Sequence, residues 1–158
     1  MELNEAALIE SEFTIRDLRL SKEVMETRRS IIRWLALSLG VINPGESRLS
    51  SLSVLDALVY FQFTKNVDPE VPQLIGYIGK NWESINEKTL RYHLLRMKKM
   101  GIVENSKGKF YFRPPAVGER FDAANWINSF FESKYRDVGT KVTEVLKELK
   151  SKNYGVVE

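Results

Sequence analysis

The chain contains no cysteine and very little histidine or glutamine. Among its 158 residues, His93 is the only histidine, and Gln62 and Gln73 are the only glutamines. The lack of cysteine excludes disulfides and thiolate metal sites, and a single histidine is too few for the usual zinc site. The sequence also has no phosphate-binding loop, nucleophile motif or convincing pair of carboxylates. We therefore expect a protein of a reducing compartment that is not an enzyme and uses no cofactor.

Long apolar runs are missing as well. The longest run without a charged residue covers the twelve residues from Trp34 to Gly45, whereas a membrane-spanning helix needs roughly 18 or more. The first ten residues, MELNEAALIE, are acidic, while a secretory signal begins with basic residues. These features predict a cytoplasmic protein without a membrane segment. The length of 158 residues predicts one domain, or a small domain with long helical additions.

Basic residues are concentrated in one part of the chain. Residues 80–113 contain nine lysines and arginines against three acidic residues, a net charge of +6, although the whole chain carries only +3. Residues 1–79 have a net charge of −3, and residues 114–158 are neutral. A clustered basic face is typical of proteins that bind a polyanion such as nucleic acid, but a solvated lysine-rich helix gives the same count.

Helical patterns divide the chain into three segments. Residues 1–45 form an N-terminal helical extension, in which a helix is predicted to begin after Ser21 as N-cap and to end at Gly40. Residues 46–115 form a central domain, and residues 116–158 form a C-terminal helix. On the polar side of the first helix we favour a solvated or salt-bridged role over phosphate contacts for three arginines: Arg28, Arg29 and Arg33.

Two helices are predicted at the start of the central domain. The first covers residues 54–63, with Ser53 and Asp56 as a capping box, and its nearly continuous apolar surface places it at the centre of the core. Asp68 is expected to cap the second helix. The small residue Gly79 near the end of that helix predicts a close crossing with the helix that follows.

The third helix of the central domain has one apolar face and one basic face. Asn86 is a suitable N-cap, with Ser84 as a competing one. The apolar face holds Leu90, Leu94 and Met97 at spacings of four and three residues. We interpret His93, at the edge of this face, as a structural residue. The outward residues are Lys88, Arg91, Tyr92, Arg96 and Lys99, together with the apolar Leu95.

A β-hairpin is predicted directly after the third helix. Gly101 ends the helix as a left-handed C-cap. Residues 102–104 and 109–112 alternate as strands, and residues 105–108 form the loop between them. Lys107, with the neighbouring Lys109, makes the tip of this hairpin basic.

The stretch TLRYHLLRMKKMGIVENSKGKFYF resembles the recognition helix and wing of winged-helix regulators of the ArsR kind. The resemblance covers about residues 54–113. Met97 replaces the usual leucine, the turn has one extra residue, and the metal-sensing cysteines of those regulators are absent, which argues against a metal sensor. The matching positions are Thr89, Leu90, His93, Leu94, Met97, Gly101, Ile102, Val103 and residues 110–112.

The resemblance implies a mainly α fold with a small β-hairpin, in which a winged helix-turn-helix core is flanked by long N- and C-terminal helices. It further implies sequence-specific binding of double-stranded DNA by a transcriptional regulator, with the third helix in the major groove and the wing on the backbone. The candidate DNA-binding residues are Asn86, Lys88, Thr89, Arg91, Tyr92, Arg96, Lys99, Lys107 and Lys109.

Two other functions remain open. Some winged helices bind only protein, and the outward Leu95 favours a scaffold in a transcription, replication or segregation complex. A ligand-sensing repressor is the third possibility, with an aromatic pocket formed by Trp34, Trp126, Phe130 and Phe131, although ordinary core packing explains these residues equally well.

The C-terminal segment carries a long apolar stripe. From Glu119 onwards, apolar residues recur at spacings of three and four, and the second half of the stripe resembles a coiled-coil seam. Gly139 is a possible kink in this helix. The stripe predicts either docking on the N-terminal helix of the same chain or a homodimer through the C-terminal and N-terminal helices, and we favour the homodimer.

Overall fold

The fold is mainly α-helical with one small antiparallel hairpin, as the sequence predicts. The structure is a computed structural model that describes residues 4–152. Within these residues, Glu5–Leu8 and Val24–Glu26 are short 3-10 turns, and Tyr60–Thr64 is a π-helical segment. The regular elements are α1 (Arg28–Ser38), α2 (Ser50–Val59), α3 (Val71–Asn81), α4 (Glu87–Lys99), β1 (Val103–Ser106), β2 (Lys109–Phe112) and α5 (Ala123–Ser151).

The chain divides into two compact units, residues 1–113 and residues 114–158. The segments expected at 1–45 and 46–115 share the first unit almost entirely, and α1 packs against α2 there. The second unit contains α5, which continues through Gly139 without interruption. Residues 153–158 of the predicted C-terminal segment lie outside the described residues.

The N-cap of α1 is Thr27 rather than Ser21. The Thr27 side chain accepts a hydrogen bond from the backbone N–H of Ser30, at 3.1 Å. Ser21 accepts only from the N–H of Val24, at the short 3-10 turn that precedes the helix. The extended backbone at Thr27 separates this turn from α1, so the continuous helix predicted from Ser21 was wrong. The helix ends just before Gly40, where φ is +73°.

The arginine face of α1 makes intramolecular contacts. Arg28 forms a salt bridge with Asp56. Arg29 donates to the carbonyl oxygen of Asn81 at 2.7 Å, and Arg33 donates to the carbonyl oxygen of Glu46 at 3.1 Å. Arg28 therefore has the salt-bridged role predicted for this face, whereas Arg29 and Arg33 bond to backbone carbonyl oxygens instead.

Helix α2 forms the centre of the first unit. It begins at Ser50, four residues before the predicted start, and its α-helical part ends at Val59. All residues from 51 to 58 are buried, which confirms its predicted central position. The predicted capping box was wrong, because Ser53 lies inside the helix and donates to the carbonyl oxygen of Ser50 at 2.8 Å. Asp56 also points into the core rather than toward a helix end.

Asp56 connects three parts of the first unit. Its side chain accepts hydrogen bonds from Arg28 Nε, from the Tyr77 hydroxyl at 3.0 Å and from Trp82 Nε1 at 2.8 Å. Burial, followed by the neighbouring Asp56 carboxylate, raises the pKa of the Tyr77 hydroxyl, which keeps it protonated as a donor. The carboxylate therefore joins α1 and α3 to α2, together with the start of the turn before α4.

Helix α3 begins two residues later than predicted, because the preceding backbone pairs with the hairpin. The N–H of Phe110 donates to the carbonyl oxygen of Pro69 at 2.9 Å, and Glu70 forms a β-bridge with Lys109. The N-cap is Glu70, whose N–H donates to the Gln73 side chain at 2.8 Å. Asp68 does not cap the helix; its carboxylate accepts from Gln62 at 2.9 Å.

The close approach predicted at Gly79 involves the turn rather than α4. A Cβ atom at this position would lie 3.3 Å from Ser84 Oγ, tighter than an ordinary contact. Gly79 thus allows the turn between α3 and α4 to fold back on the end of α3.

The hairpin is longer and its turn is tighter than predicted. Strand β1 pairs with β2 so that Val103 faces Phe112 and Ser106 faces Lys109. Only Lys107 and Gly108 remain in the turn, with φ values of +53° and +78°. Two consecutive positive φ angles are characteristic of a two-residue type I′ turn, which matches the twist of the flanking strands. The predicted four-residue loop was therefore wrong.

Candidate nucleic-acid interface

Helix α4 separates its buried residues from its exposed residues clearly. Leu90, Leu94 and Met97 are buried in the core of the first unit, as predicted. On the opposite side, at intervals of four, three and four residues, four exposed side chains form one stripe: Lys88, Tyr92, Leu95 and Lys99. Since residues at these spacings lie on the same side of a helix, the stripe faces solvent along the length of α4.

Asn86 and Thr89 form the N-terminal cap of α4. The Asn86 side-chain oxygen accepts a hydrogen bond from the Thr89 N–H at 2.8 Å, which confirms Asn86 as the N-cap. This bond occupies the side-chain oxygen of Asn86, and Thr89 is half-buried. Both residues therefore position the helix, and their direct use in ligand contacts is restricted.

The two predicted arginines have different environments. Arg91 is exposed and forms an i,i+4 salt bridge with Glu87, with 2.8 Å between Nε and Oε1. Such exposed pairs contribute little to stability, so Arg91 can exchange Glu87 for another anion. Arg96 is half-buried and donates to the carbonyl oxygen of Val41 at 3.2 Å. The structure thus places Arg96 beside the loop after α1, away from the exposed stripe of α4.

Lys107 and Lys109 extend the basic surface to the hairpin. Both side chains are exposed, and Lys107 occupies the first position of the two-residue turn. Within residues 4–152, no carboxylate forms a salt bridge with either of them, or with Lys88 or Lys99. These four ammonium groups are accordingly available to an external anion.

Lys98 belongs to this surface, although it is not among the predicted site residues. It is exposed and donates to the Asn105 side chain of β1 at 2.8 Å. This contact fixes α4 relative to the hairpin. The sequence gives only a weak signal for this contact. Asn105 was predicted to lie in the four-residue loop, whereas the structure places it in β1.

A groove of about 280 Å³ lies between α4 and the hairpin. Leu95, which is 51% exposed, lines it together with Val103 and Phe110. Arg91 and Lys98 also line it. The outward position predicted for Leu95 is confirmed, and the groove gives this side chain an apolar neighbourhood on the same face as the lysines.

His93 has a structural position at the base of the site. It is buried, and its two ring nitrogens make hydrogen bonds with the hydroxyls of Ser50 and Ser51, at 2.9 and 3.3 Å. Burial, and then the positive charges of Arg96 and Arg48, lower the pKa of His93. The neutral ring therefore ties α4 to the start of α2, as expected for a structural residue.

Comparison of the chain with protein-family models, curated proteins and solved structures finds no match. Among the described residues, no helix is both long and apolar enough to cross a membrane. Of the aromatic residues considered for a ligand pocket, Trp34 lies in the first unit and Trp126, Phe130 and Phe131 lie in the second.

Proposed function

We propose that this protein binds double-stranded DNA sequence-specifically through a winged helix-turn-helix, as a transcriptional regulator. In this assignment α3 and α4 are the helix-turn-helix, α4 is the recognition helix, and the β1–β2 hairpin is the wing. The order of α2, α3, α4 and the hairpin supports the assignment, as does the pairing of Pro69 and Glu70 with β2.

The observation that carries the proposal is the exposed stripe of α4. A helix enters the major groove with one face toward the bases and the other toward its own domain. Here the core-facing side is apolar, while the exposed side presents Lys88, Tyr92 and Lys99 without carboxylate partners among the described residues. Cationic side chains at helical intervals suit the phosphates that border the groove.

The side chains of the stripe have different roles in this binding mode. Lys88 and Lys99 contact phosphates, which contributes affinity but no sequence information. Arg91 releases Glu87 and reads a guanine through two hydrogen bonds. Tyr92 donates to a phosphate, and Leu95 contacts a thymine methyl group. Lys107 at the wing tip follows the backbone beside the groove.

Binding to duplex DNA at several salt concentrations tests this proposal. Fluorescence anisotropy with a labelled random-sequence duplex should show affinity falling with salt by roughly 0.9 log units per phosphate contact per log unit of salt. The double variant Lys88→Ala/Lys99→Ala should bind more weakly, with a salt slope smaller by about two. The matched variant Lys22→Ala/Lys147→Ala removes two exposed lysines elsewhere and should bind like wild type. Equal binding by both variants would contradict the placement.

Sequence specificity needs a separate experiment. Enrichment of bound fragments from a random duplex pool should yield a motif, and Arg91→Ala should relax it at one position, at a cost of about 1–3 kcal/mol. Enrichment without any motif would leave only nonspecific binding.

A protein-interaction scaffold is the second candidate function. The groove beside Leu95 is the observation that favours it, because an exposed leucine with apolar neighbours suits a peptide or helix as well as a base. A gel shift on bulk genomic DNA at low salt separates the two functions. Failure to shift any DNA, together with loss of a protein partner in Leu95→Asp, would favour the scaffold.

A further inference from the structure

The second half of α5 carries an apolar stripe that is exposed to solvent. Its residues recur at alternating spacings of three and four, as in the a and d positions of a coiled-coil heptad. Each is between 48% and 78% exposed. The stripe consists of Tyr135, Val138, Val142, Val145 and Leu149.

Neither tertiary packing nor helix propensity stabilises this half of α5 strongly. All residues from 140 to 152 are exposed, so none of their side chains packs into a core. Glycine, threonine and valine are weak helix formers, and they occupy five of the seven positions from Gly139 to Val145. A single helix of this length and composition is marginal in water, so burial of the stripe against a partner would supply the missing stability.

We propose that the partner is the same stripe of a second copy, and that the two α5 helices form an antiparallel coiled coil. With Tyr135, Val142 and Leu149 as a positions, Val138 and Val145 are d positions. In the proposed register, Val142 of one copy packs on Val145 of the other, and Val138 packs on Leu149. The contact is symmetric about a two-fold axis, as expected for a homodimer.

Charge complementarity selects this register. Lys141 and Glu148 flank the stripe at successive g positions. In this register, Lys141 of each copy lies beside Glu148 of the other copy. A shift of one heptad in one direction places Lys141 of one chain against Lys141 of the other. A shift in the opposite direction places Glu148 of one chain against Glu148 of the other. A parallel pair places Lys141 beside Leu146 instead. The preceding g residue, Lys134, is buried. Among the exposed g residues, only the proposed register therefore gives two symmetric opposite-charge pairs.

Side-chain size on the other flank agrees with the same register. Leu146, which is 59% exposed, lies opposite Gly139 of the second copy. The backbone at Gly139 presents no side chain, and its nearest neighbour for an added Cβ is the Tyr135 ring of the same helix, at 3.4 Å. The large and small residues can thus fill the same space across the interface. By contrast, Ile32 and Ala36 of α1 are already buried in the first unit, so this face of α1 is not available to the interface.

The oligomeric state of the full chain tests the interface without DNA. Sedimentation equilibrium at tens of micromolar should give twice the chain mass of 18.3 kDa. Val142→Asp/Val145→Asp should sediment as a monomer. The control Thr140→Asp/Lys147→Asp adds two acidic residues to the opposite face of the helix and should remain dimeric. A monomeric wild type, or equal masses for both variants, would overturn the proposal while leaving the proposed DNA-binding function untouched.

Engineered cysteines test the orientation, because the natural chain has none. When Val138→Cys and Leu149→Cys chains are mixed and oxidised, the antiparallel register predicts mainly a mixed disulfide between the two variants. Leu149→Cys alone should not cross-link, since the two copies of that residue are about 16 Å apart along the axis at 1.5 Å per residue. Efficient cross-linking of Leu149→Cys to itself would instead show a parallel pair.

A charge cycle tests the register. Lys141→Glu and Glu148→Lys should each weaken the dimer by roughly tenfold, because each creates two like-charge contacts. The double variant should recover the wild-type dissociation constant. The two residues are seven positions apart in one helix, about 10 Å, so recovery reports contacts between copies. Additive weakening in the double variant would exclude this register.

Discussion

A single buried carboxylate joins elements that are far apart in the sequence. Asp56 accepts from Arg28, Tyr77 and Trp82, yet its spacing from Ser53 predicted a helix cap. The pattern was misleading because local spacing describes only one helix, whereas the donors come from residues 28, 77 and 82. The sequence shows that an aspartate lies in an apolar helix, but the identity of its partners depends on tertiary packing.

Loss of the Asp56 carboxylate should destabilise the first unit strongly. We expect Asp56→Ala to lower the free energy of unfolding by about 3–5 kcal/mol, because it leaves two donors and a guanidinium without their acceptor. Urea denaturation followed by circular dichroism measures this loss. Glu87→Ala removes a carboxylate from an exposed salt bridge and should change the free energy by less than about 1 kcal/mol. Similar values for the two variants would show that Asp56 is not a structural centre.

His93 should make the free energy of unfolding decrease as pH falls below about 6.5. Its pKa is lowered in the folded state by burial and by Arg96 and Arg48, so the unfolded chain binds a proton more readily. The contribution of neutral His93 to the free energy of unfolding is therefore fully present above the unfolded pKa of about 6.5. It is lost as pH falls, by at most about 1.4 kcal/mol per pH unit. Thermal unfolding at pH 7.5 and 5.5 should show the decrease, and His93→Gln should reduce it. An unchanged pH dependence in that variant would assign the effect to other groups.

At the scale of elements, the periodicity of α4 predicted its buried face correctly, and its exposed face except for Arg96. This helix has a strong apolar repeat and a local cap, Asn86, and both signals lie within a few residues of each other. The starts of α1 and α3 were predicted wrongly, because they depend on a preceding turn and on pairing with β2. Arg96 was assigned to the outward face, since sequence spacing does not show the carbonyl of Val41 beside it.

At the hairpin turn, the positive charge of Lys107 can be removed without lowering the stability of the fold. Lys107 has a φ of +53° and precedes Gly108, and asparagine is favoured at this position of a type I′ turn. We expect Lys107→Asn to keep or slightly raise the melting temperature while weakening binding to duplex DNA and reducing the salt slope by about one. Thermal unfolding and anisotropy on the same preparation measure both effects. Unchanged DNA binding would remove the wing tip from the proposed interface.

At the scale of the whole molecule, the basic cluster and the exposed apolar stripe lie in different units. The net charge of +6 in residues 80–113 lies in the first unit, and the exposed stripe of α5 lies in the second. Both features were visible in the sequence as a charge cluster and a heptad pattern. The sequence alone could not show which part of the long helix is exposed, since its apolar pattern is continuous from Phe121 to Leu149.

The helix content of the chain should depend on its concentration. Because all residues from 140 to 152 are exposed in a single copy, dilution below the dissociation constant of the dimer should unfold part of α5. Far-ultraviolet circular dichroism should then lose ellipticity per residue as concentration falls. Val142→Asp/Val145→Asp should give the lower value at every concentration. A constant ellipticity in wild type, over a range where its mass changes, would show that the helix is stable by itself.

Trp82 gives the first unit a built-in optical reporter. Its indole is buried, bonds to Asp56 through Nε1 and lies 4.2 Å beneath the Arg29 guanidinium. Trp82 also begins the turn that leads into α4. In Trp34→Phe/Trp126→Phe, the emission of this one fluorophore would report on the segment immediately before α4. Stopped-flow fluorescence could then follow how fast that segment responds to an added duplex, without any attached dye.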